Sequence, residues 1–349
     1  MNNETRKETQ VLPKDVRYVG ADDLTLPLFE NQYPVQPMGV SYNSYLILDE
    51  KIAVMDSVDA RAADEWLAKL AHELDGRSPD YLVISHMEPD HSGSILRLAE
   101  KYQEMKLVGN TKTFTMLRQF FGAKAPTDDR LLEVGEGETL PLGAHTLHFM
   151  LAPMVHWPEV MVAYEETEKL LFSADAFGRF GSLGRTANAP WAPQARRYYY
   201  NIVGKYGAQV QALLKKASAL EIKTVCPLHG PVLTGEALGE ALRLYDLWSR
   251  WQSESPDDIL LAHASIHGNT ARAAELFKQK LEAKGARVTL CDLTTTEVSY
   301  AVANAFYCGK LVLACSTYDG GLFPPMEEFL SHLQAKGFRS RTVGLMENG

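Results

Sequence analysis

The sequence predicts two consecutive layered domains, the first mixed and strand-dominated, the second a doubly wound parallel α/β sheet. Three observations predict this. The 349 residues suit two cores better than one. Up to about residue 252, short β-rich runs alternate with turn signals and a few amphipathic helices. After the polar, proline-containing stretch Ser253–Asp258 the pattern becomes a regular strand–helix alternation. The domains are therefore expected at residues 1–252 and 256–349.

In the first domain, Ser44–Asp49 and Ile52–Asp56 flank a polar Glu50-Lys51 turn and read as a hairpin, as do Val160–Tyr164 and Lys169–Ser173 around Glu165–Glu168. Helices are expected at Asp64–Leu74, Ser92–Tyr102, Thr113–Phe121 and Tyr206–Leu220, where apolar residues recur at three-to-four spacing. In the second domain, strands at Ile259–His263, Arg287–Cys291, Leu311–Cys315 and Arg341–Leu345 alternate with helices at Thr270–Lys284, Val298–Ala305 and Pro325–Lys336. Such alternation is the mark of a parallel sheet.

Composition removes several function classes. Thirty-five Lys+Arg against 44 Asp+Glu give a net charge of -9 with no basic run, so nucleic acid is not an expected partner. No apolar run is long enough to cross a bilayer, and Met1–Lys7 carries no apolar leader core behind its charges, which predicts a soluble cytoplasmic protein without a membrane partner. The four cysteines, Cys226, Cys291, Cys308 and Cys315, form no C-x-x-C pair. Neither a disulfide framework nor a thiolate metal site is expected, and any metal falls to histidine and carboxylate.

The densest set of such groups is His86-Met87-Glu88-Pro89-Asp90-His91, directly after the apolar strand Tyr81–Ser85. Four potential ligands in six residues at a strand-to-helix turn can converge as the loop curls back before a helix opening at Ser92. Three more candidates follow strands in the same way: His156 after Leu147–Pro153, Asp175 after Leu170–Ala174, and His229 after Thr224–Pro227. Gly230 lets the chain turn sharply behind the last. Four imidazoles and three carboxylates are too many for one tetrahedral ion and suit two metals with one bridging carboxylate. The separations assign His86, Glu88 and His156 to one metal, Asp90, His91 and His229 to the other, and Asp175 to both. This donor set suits iron or manganese as well as zinc. His72, His145, His148 and His332 follow no strand end and are assigned to structure or solvent.

The pattern His-x-x-x-Asp-His after a strand resembles the metallo-β-lactamase superfamily, whose hydrolytic members usually place His where this chain has Glu88. The wider set looks like the flavodiiron proteins: Asn43-Ser44-Tyr45, Pro153–Pro158, Phe172–Gly178, Tyr198–Ile202 and His229-Gly230-Pro231, in that order. The resemblance runs from about residue 17 to the last residue. It implies a metallo-β-lactamase-like αβ/βα sandwich carrying a non-haem di-iron centre with the seven ligands named above, followed by a flavodoxin-like domain carrying FMN. It also implies an oxidoreductase that reduces dioxygen to water, nitric oxide to nitrous oxide, or both. A head-to-tail homodimer, and a separate electron donor such as a rubredoxin or its reductase, are further implications. The competing reading is a di-zinc hydrolase of the same superfamily.

For the flavin, Ser265, His267, Gly268, Asn269 and Thr270 form a small polar loop between the first strand and first helix of the second domain. Its backbone amides, hydroxyls and helix N-terminus can cradle a phosphate, although Asn269 and Thr270 also read as ordinary helix caps. The loop resembles the Ser-x-x-Gly-Asn-Thr loop of flavodoxins. A second loop, Ser316, Thr317, Tyr318, Asp319 and Gly320, follows the third strand, which in doubly wound topology neighbours the first. Tyr318 is placed to stack on an isoalloxazine ring. Against the family pattern the flavodoxin-like part looks truncated after its fourth strand, which leaves one sheet edge open and flavin retention in question. A residue of the Tyr198–Tyr200 run is a candidate hydrogen-bond donor near the metals, with helix packing as its other role.

Overall fold

The structure, a computed structural model, describes residues 11–347; Met1–Lys7 and the final Asn348-Gly349 lie outside the described residues. The chain forms two compact units, one from the described residues up to 195 with 212–242, the other from 196–211 with those from 243 onward.

The first unit is a sandwich of two six-stranded sheets. One runs Val16–Tyr18, Tyr45–Ile47, Ala53–Met55, Tyr81–Val83, Lys106–Gly109, Leu131–Glu133, antiparallel at its first two pairings and parallel at the rest. The other runs Thr139–Pro141, Thr146–Leu151, Met161–Glu165, Leu170–Phe172, Thr224–Cys226, Leu233–Thr234, with one parallel pairing, between Leu170–Phe172 and Thr224–Cys226. Both expected hairpins form. Alternate residues of each strand meet in one core: Tyr45 and Ile47, Ala53 and Met55 from one sheet, Leu147 and Phe149, Met161 and Ala163 from the other. The opposite faces are also buried, Leu46, Val54 and Leu82 together with Trp66 and Leu70 of the helix Ala63–Leu74. Burial on both faces is why these strands read as continuous apolar runs.

Two helix starts differ from expectation. The helix read from Ser92 is two pieces, Pro89–Ser92 and Ile95–Lys101. Pro89 suits a first helical position, and Gly93 sits so close to Pro89 O and Ala60 N that a Cβ would meet them at 2.6 and 2.9 Å. Asp90 and His91 therefore lie on a helical turn, not in the loop before one. The long helix expected at Thr113 begins at Thr111, because Asn110 caps it by accepting from the N–H of Lys112 and Thr113.

In the second unit, Val288–Asp292, Ser255–Ala264, Cys308–Cys315 and Thr342–Leu345 form a four-stranded parallel sheet in that order. The first strand begins at Ser255, inside the stretch read as polar linker, with a register shift between Ser255 and Ile259. Helices Asn269–Glu282, Val298–Tyr307 and Pro324–Ala335 connect the strands. All four residues of the edge strand Thr342–Leu345 are exposed. Tyr198, Tyr199 and Tyr200 are buried in this same unit, Tyr199 against Tyr245 and Trp248 and Tyr200 stacked on Phe306 at 3.9 Å. They run into a π-helical turn, Tyr199–Val203. Packing is the role this gives Tyr199 and Tyr200. Among the described residues no helix is long and apolar enough to cross a membrane.

Phe149 is wholly buried between the two sheets, whereas Tyr318 is 47% exposed. Phe149→Ala is expected to lower stability by about 3–5 kcal/mol and Tyr318→Ala by no more than about 0.5 kcal/mol, measured by denaturant unfolding.

Candidate metal centre and flavin loops

Each of the seven candidate ligands lies beyond the carboxyl end of a strand: His86 after Tyr81–Val83, His156 after Thr146–Leu151, Asp175 after Leu170–Phe172 and His229 after Thr224–Cys226. His86, His91, Asp175 and His229 are completely buried, and Glu88, Asp90 and His156 nearly so. They fall into two groups whose donor atoms lie within 4.8 Å of one another, His86 with Glu88, His156 and Asp175, and Asp90 with His91 and His229.

Asp175 joins the two groups. Its Oδ2 is 3.1 Å from His156 Nε2 and 3.5 Å from His86 Nε2, while its Oδ1 is 3.1 Å from His91 Nε2 and 3.7 Å from His229 Nε2. Glu88 Oε2 faces His86 and His156 at 3.3 and 3.1 Å, and Asp90 Oδ2 faces His91 and His229 at 3.4 and 3.2 Å. Two donors each about 2.1 Å from one ion stand about 3.0–3.4 Å apart at right-angled to tetrahedral geometry, so most of these spacings are those of shared coordination. The buried atoms support the same reading. Both oxygens of Asp90 and Oδ1 of Asp175 are enclosed without a hydrogen-bond partner, a cost that coordination would relieve.

The surroundings hold these side chains in place. Asp56 Oδ1 accepts from the backbone N–H of Ser85 at 2.7 Å and of His86 at 3.3 Å. Ser57 Oγ donates to His91 O and Ser92 Oγ to Met87 O. Glu159 Oε1 accepts from His86 Nδ1 at 2.7 Å and from Met87 N at 2.9 Å. His229 donates through Nδ1 to Ser41 O at 2.7 Å, and Asn43 Nδ2 donates to Pro227 O and Gly230 O on either side of it. Gly230 has φ +79°, and a Cβ there would meet Arg179 Cγ at 2.7 Å. Ala174, just before Asp175, and Met154, close before His156, hold positive φ of 51° and 67°, each at a cost of about 1–3 kcal/mol. Asp56, Glu159 and Ser41 are supports that the sequence reading did not find. Their sequence separations from the histidines, up to 188 residues for Ser41, carry no local signal.

Burial opposes charge on His91, but Asp90 and Asp175 outweigh it and hold the ring at about 9. For His156 burial is likewise overcome, by hydrogen bonds to Asp175 and Glu88, again to about 9. His86 is raised well above its ordinary value against burial by Glu159 and Glu88. Asp175 is held well below its ordinary value despite burial, by His91, His156 and His86. Beside the site, burial and the charge of Glu88 push Glu30 up to about 8. Glu30 is exposed over much of its surface, but its carboxyl end is crowded against Glu88.

In the second unit the two predicted flavin loops come together. Thr270 Oγ1 and Ser316 Oγ are 3.0 Å apart, and Ile266 N donates to Ser316 Oγ at 3.4 Å. The helix cap is Gly268, with φ +86°, not Asn269 or Thr270, and no side chain satisfies the first-turn amides. Ser265 Oγ instead accepts from Gly268 N. A 14-residue helix with a side-chain-free N-terminus beside two hydroxyls is suited to a phosphate. Thr317-Tyr318 pairs with Gly321-Leu322 around Asp319 and Gly320, both at positive φ, as a two-residue hairpin turn requires. Tyr318 is exposed. His267 lies in the first loop, in the bend before Gly268.

Residues 40–230 match the family model described as ODP family beta lactamase. The rubredoxin-oxygen oxidoreductase of Megalodesulfovibrio gigas is 29% identical over 92% of this chain and 80% of its own length. The anaerobic nitric oxide reductase flavorubredoxin of Vibrio vulnificus is 27% identical over 94% and 67%. The crystal structure of the flavodiiron protein from Giardia intestinalis superposes with a TM-score of 0.89 at 27% identity, covering 96% of this chain and 82% of that one. The chain spans about half the length of the diflavin flavoproteins that it also matches. The β-lactamase-like sandwich with its paired histidine–carboxylate clusters is the part of the chain that the ODP family model matches. The chain belongs to that family and, within it, to the flavodiiron proteins.

Histidine binds metal as the neutral ring, so rings held at about 9 must lose protons as metal enters. Metal uptake by the metal-free protein is expected to release protons at pH 7, and its affinity to rise with pH until about 9 and then level. Titration calorimetry in buffers of different ionisation enthalpy measures this; uptake at pH 7 without proton release would contradict it.

Proposed function

We propose that this protein is a flavodiiron oxidoreductase that reduces dioxygen to water, nitric oxide to nitrous oxide, or both, with electrons delivered through FMN. The observation that carries the proposal is Asp175, whose two oxygens face two matched clusters of imidazole and carboxylate. His86, Glu88 and His156 would hold one iron, Asp90, His91 and His229 the other, and Asp175 both. Ser265, His267, Gly268, Asn269 and Thr270 would hold the flavin phosphate end, and Ser316, Thr317, Tyr318, Asp319 and Gly320 its ring. We read residues 1–252 as the di-iron domain and 256–349 as the flavodoxin-like one.

When bound, the irons supply a redox-active place for a diatomic gas, and FMN supplies single electrons to it. Dioxygen takes four electrons and four protons to give two waters; two nitric oxides take two electrons and two protons to give nitrous oxide and one water. The chain's own residues hold the donor atoms in register, bury them from water, and keep Nε2 of His86 and His229 turned inward by engaging Nδ1. The named relatives are oxidoreductases, and so is this chain, in preference to the di-zinc hydrolase reading. Those names also support a rubredoxin or its reductase as electron donor. A head-to-tail homodimer in the cytoplasm completes the proposal.

Aerobic purification of the protein is expected to yield about two irons per chain, and FMN with them. Anaerobic assays under reductant should then show consumption of one or both gases. Asp175→Ala should abolish gas reduction, by more than about 100-fold, without loss of fold. Two zincs per chain with thioesterase or phosphodiesterase turnover would overturn the proposal.

A further inference from the structure

The two clusters are matched in the atoms that face inward. Each has two imidazoles, one carboxylate of its own and one oxygen of Asp175. Donor count therefore does not distinguish them. What lies behind the imidazoles does.

His86 Nδ1 meets Glu159 Oε1 at 2.7 Å, with both side chains fully buried. The same oxygen accepts the Met87 N–H at 2.9 Å. Both donors converge on one carboxyl oxygen, an arrangement that is strongest when the carboxyl is ionised. Its Oε2 is buried without a hydrogen-bond partner, and among the described residues His86 is its one ion-pair partner. The carboxylate is itself positioned through its backbone, whose carbonyl accepts from Asn110 Nδ2 at 2.6 Å, the residue that caps the helix Thr111–Phe121. In the other cluster, among the described residues, no carboxylate is hydrogen-bonded to the outer nitrogen of His91, and a backbone carbonyl meets that of His229. His229 donates through Nδ1 to a neutral carbonyl, Ser41 O, and His91 Nδ1 is buried without a partner. A carboxylate on the outer nitrogen of a ligating imidazole fixes its tautomer and raises its basicity, and a more basic ligand stabilises the higher oxidation state of its metal.

We propose that Glu159 is a positioning residue that locks His86 with its proton on Nδ1 and makes the metal held by His86, Glu88 and His156 the harder of the two to reduce. The inference rests on the proposed di-iron reading. The first electron then settles on the metal of Asp90, His91 and His229, and the site is asymmetric although its inward-facing donors are not.

The test uses the full chain with Glu159→Gln, whose amide oxygen can still accept from His86 and Met87 while the charge is gone. Iron content and a redox titration followed by electron paramagnetic resonance are read together. With both irons retained, the later reduction step should move to higher potential by at least tenfold in its equilibrium, about 59 mV for one electron, while the earlier step moves less, so that the two steps draw together. Both irons retained with neither step moved would overturn the proposal, as would loss of metal from both clusters, which would make Glu159 a packing residue. A measurement on the unsubstituted protein stands beside this. Loaded with zinc, it should show one far-downfield, slowly exchanging ring N–H with a nuclear Overhauser contact to the Met87 amide, since both protons lie on Glu159 Oε1. Its absence would also overturn the positioning role. If the unsubstituted protein proves to hold zinc and no iron, the di-iron reading fails, whereas the zinc-loaded spectrum still judges Glu159 by itself.

Discussion

A single carboxylate, Asp175, faces four imidazoles from the interior of the first unit, and the rest of that unit is arranged so that it can. An ionised carboxyl group with no solvent exposure is held at a cost of several kcal/mol unless opposite charge or metal meets it. Here one of its oxygens faces each cluster. Because the partners are histidines on three different strand ends and one helical turn, the carboxylate can be satisfied only if both sheets close on each other correctly. The apolar core between the sheets supplies the energy for that closure, and the site uses it.

Strain and close packing appear where the chain must place these groups. Ala174 and Met154 at positive φ, Gly230 against Arg179, and Gly93 against Pro89 and Ala60 all lie within a few residues of a candidate ligand. None of them is favourable on local grounds. They are tolerated because the sandwich over-determines the backbone on either side. The second unit follows the opposite rule: its first loop uses Gly268 for the turn and leaves the helix amides without a side-chain cap, and its second keeps Tyr318 in the open.

Legibility varied with the range of the interaction. The hairpins and most helices were readable because turn residues and apolar periodicity are local. The seven candidate ligands stood out because they follow apolar strands, and the structure gathers them into two groups, His86, Glu88, His156 and Asp175 in one and Asp90, His91 and His229 in the other. The helix start at Pro89 was missed because apolar periodicity begins only at Ile95, past the Gly93 break. Asn269 and Thr270 looked like caps by residue type, yet Gly268 took the position because its left-handed backbone turns the loop. Tyr199 and Tyr200 were ambiguous in sequence; only their contacts with Tyr245, Trp248 and Phe306 make them packing residues.

The sequence by itself determined the class of chemistry. Its histidines and carboxylates sit at strand ends, its cysteines form no ligand pair, and its second half alternates strand with helix. Tertiary structure decided which atoms face which. Asp175 came to face both clusters, His86 acquired Glu159 behind it and His229 acquired Ser41, the last two through contacts spanning 73 and 188 residues. The physical reason is that ligand type follows from residue identity, whereas orientation and tautomer depend on what lies behind each ring. That is settled only when distant segments pack.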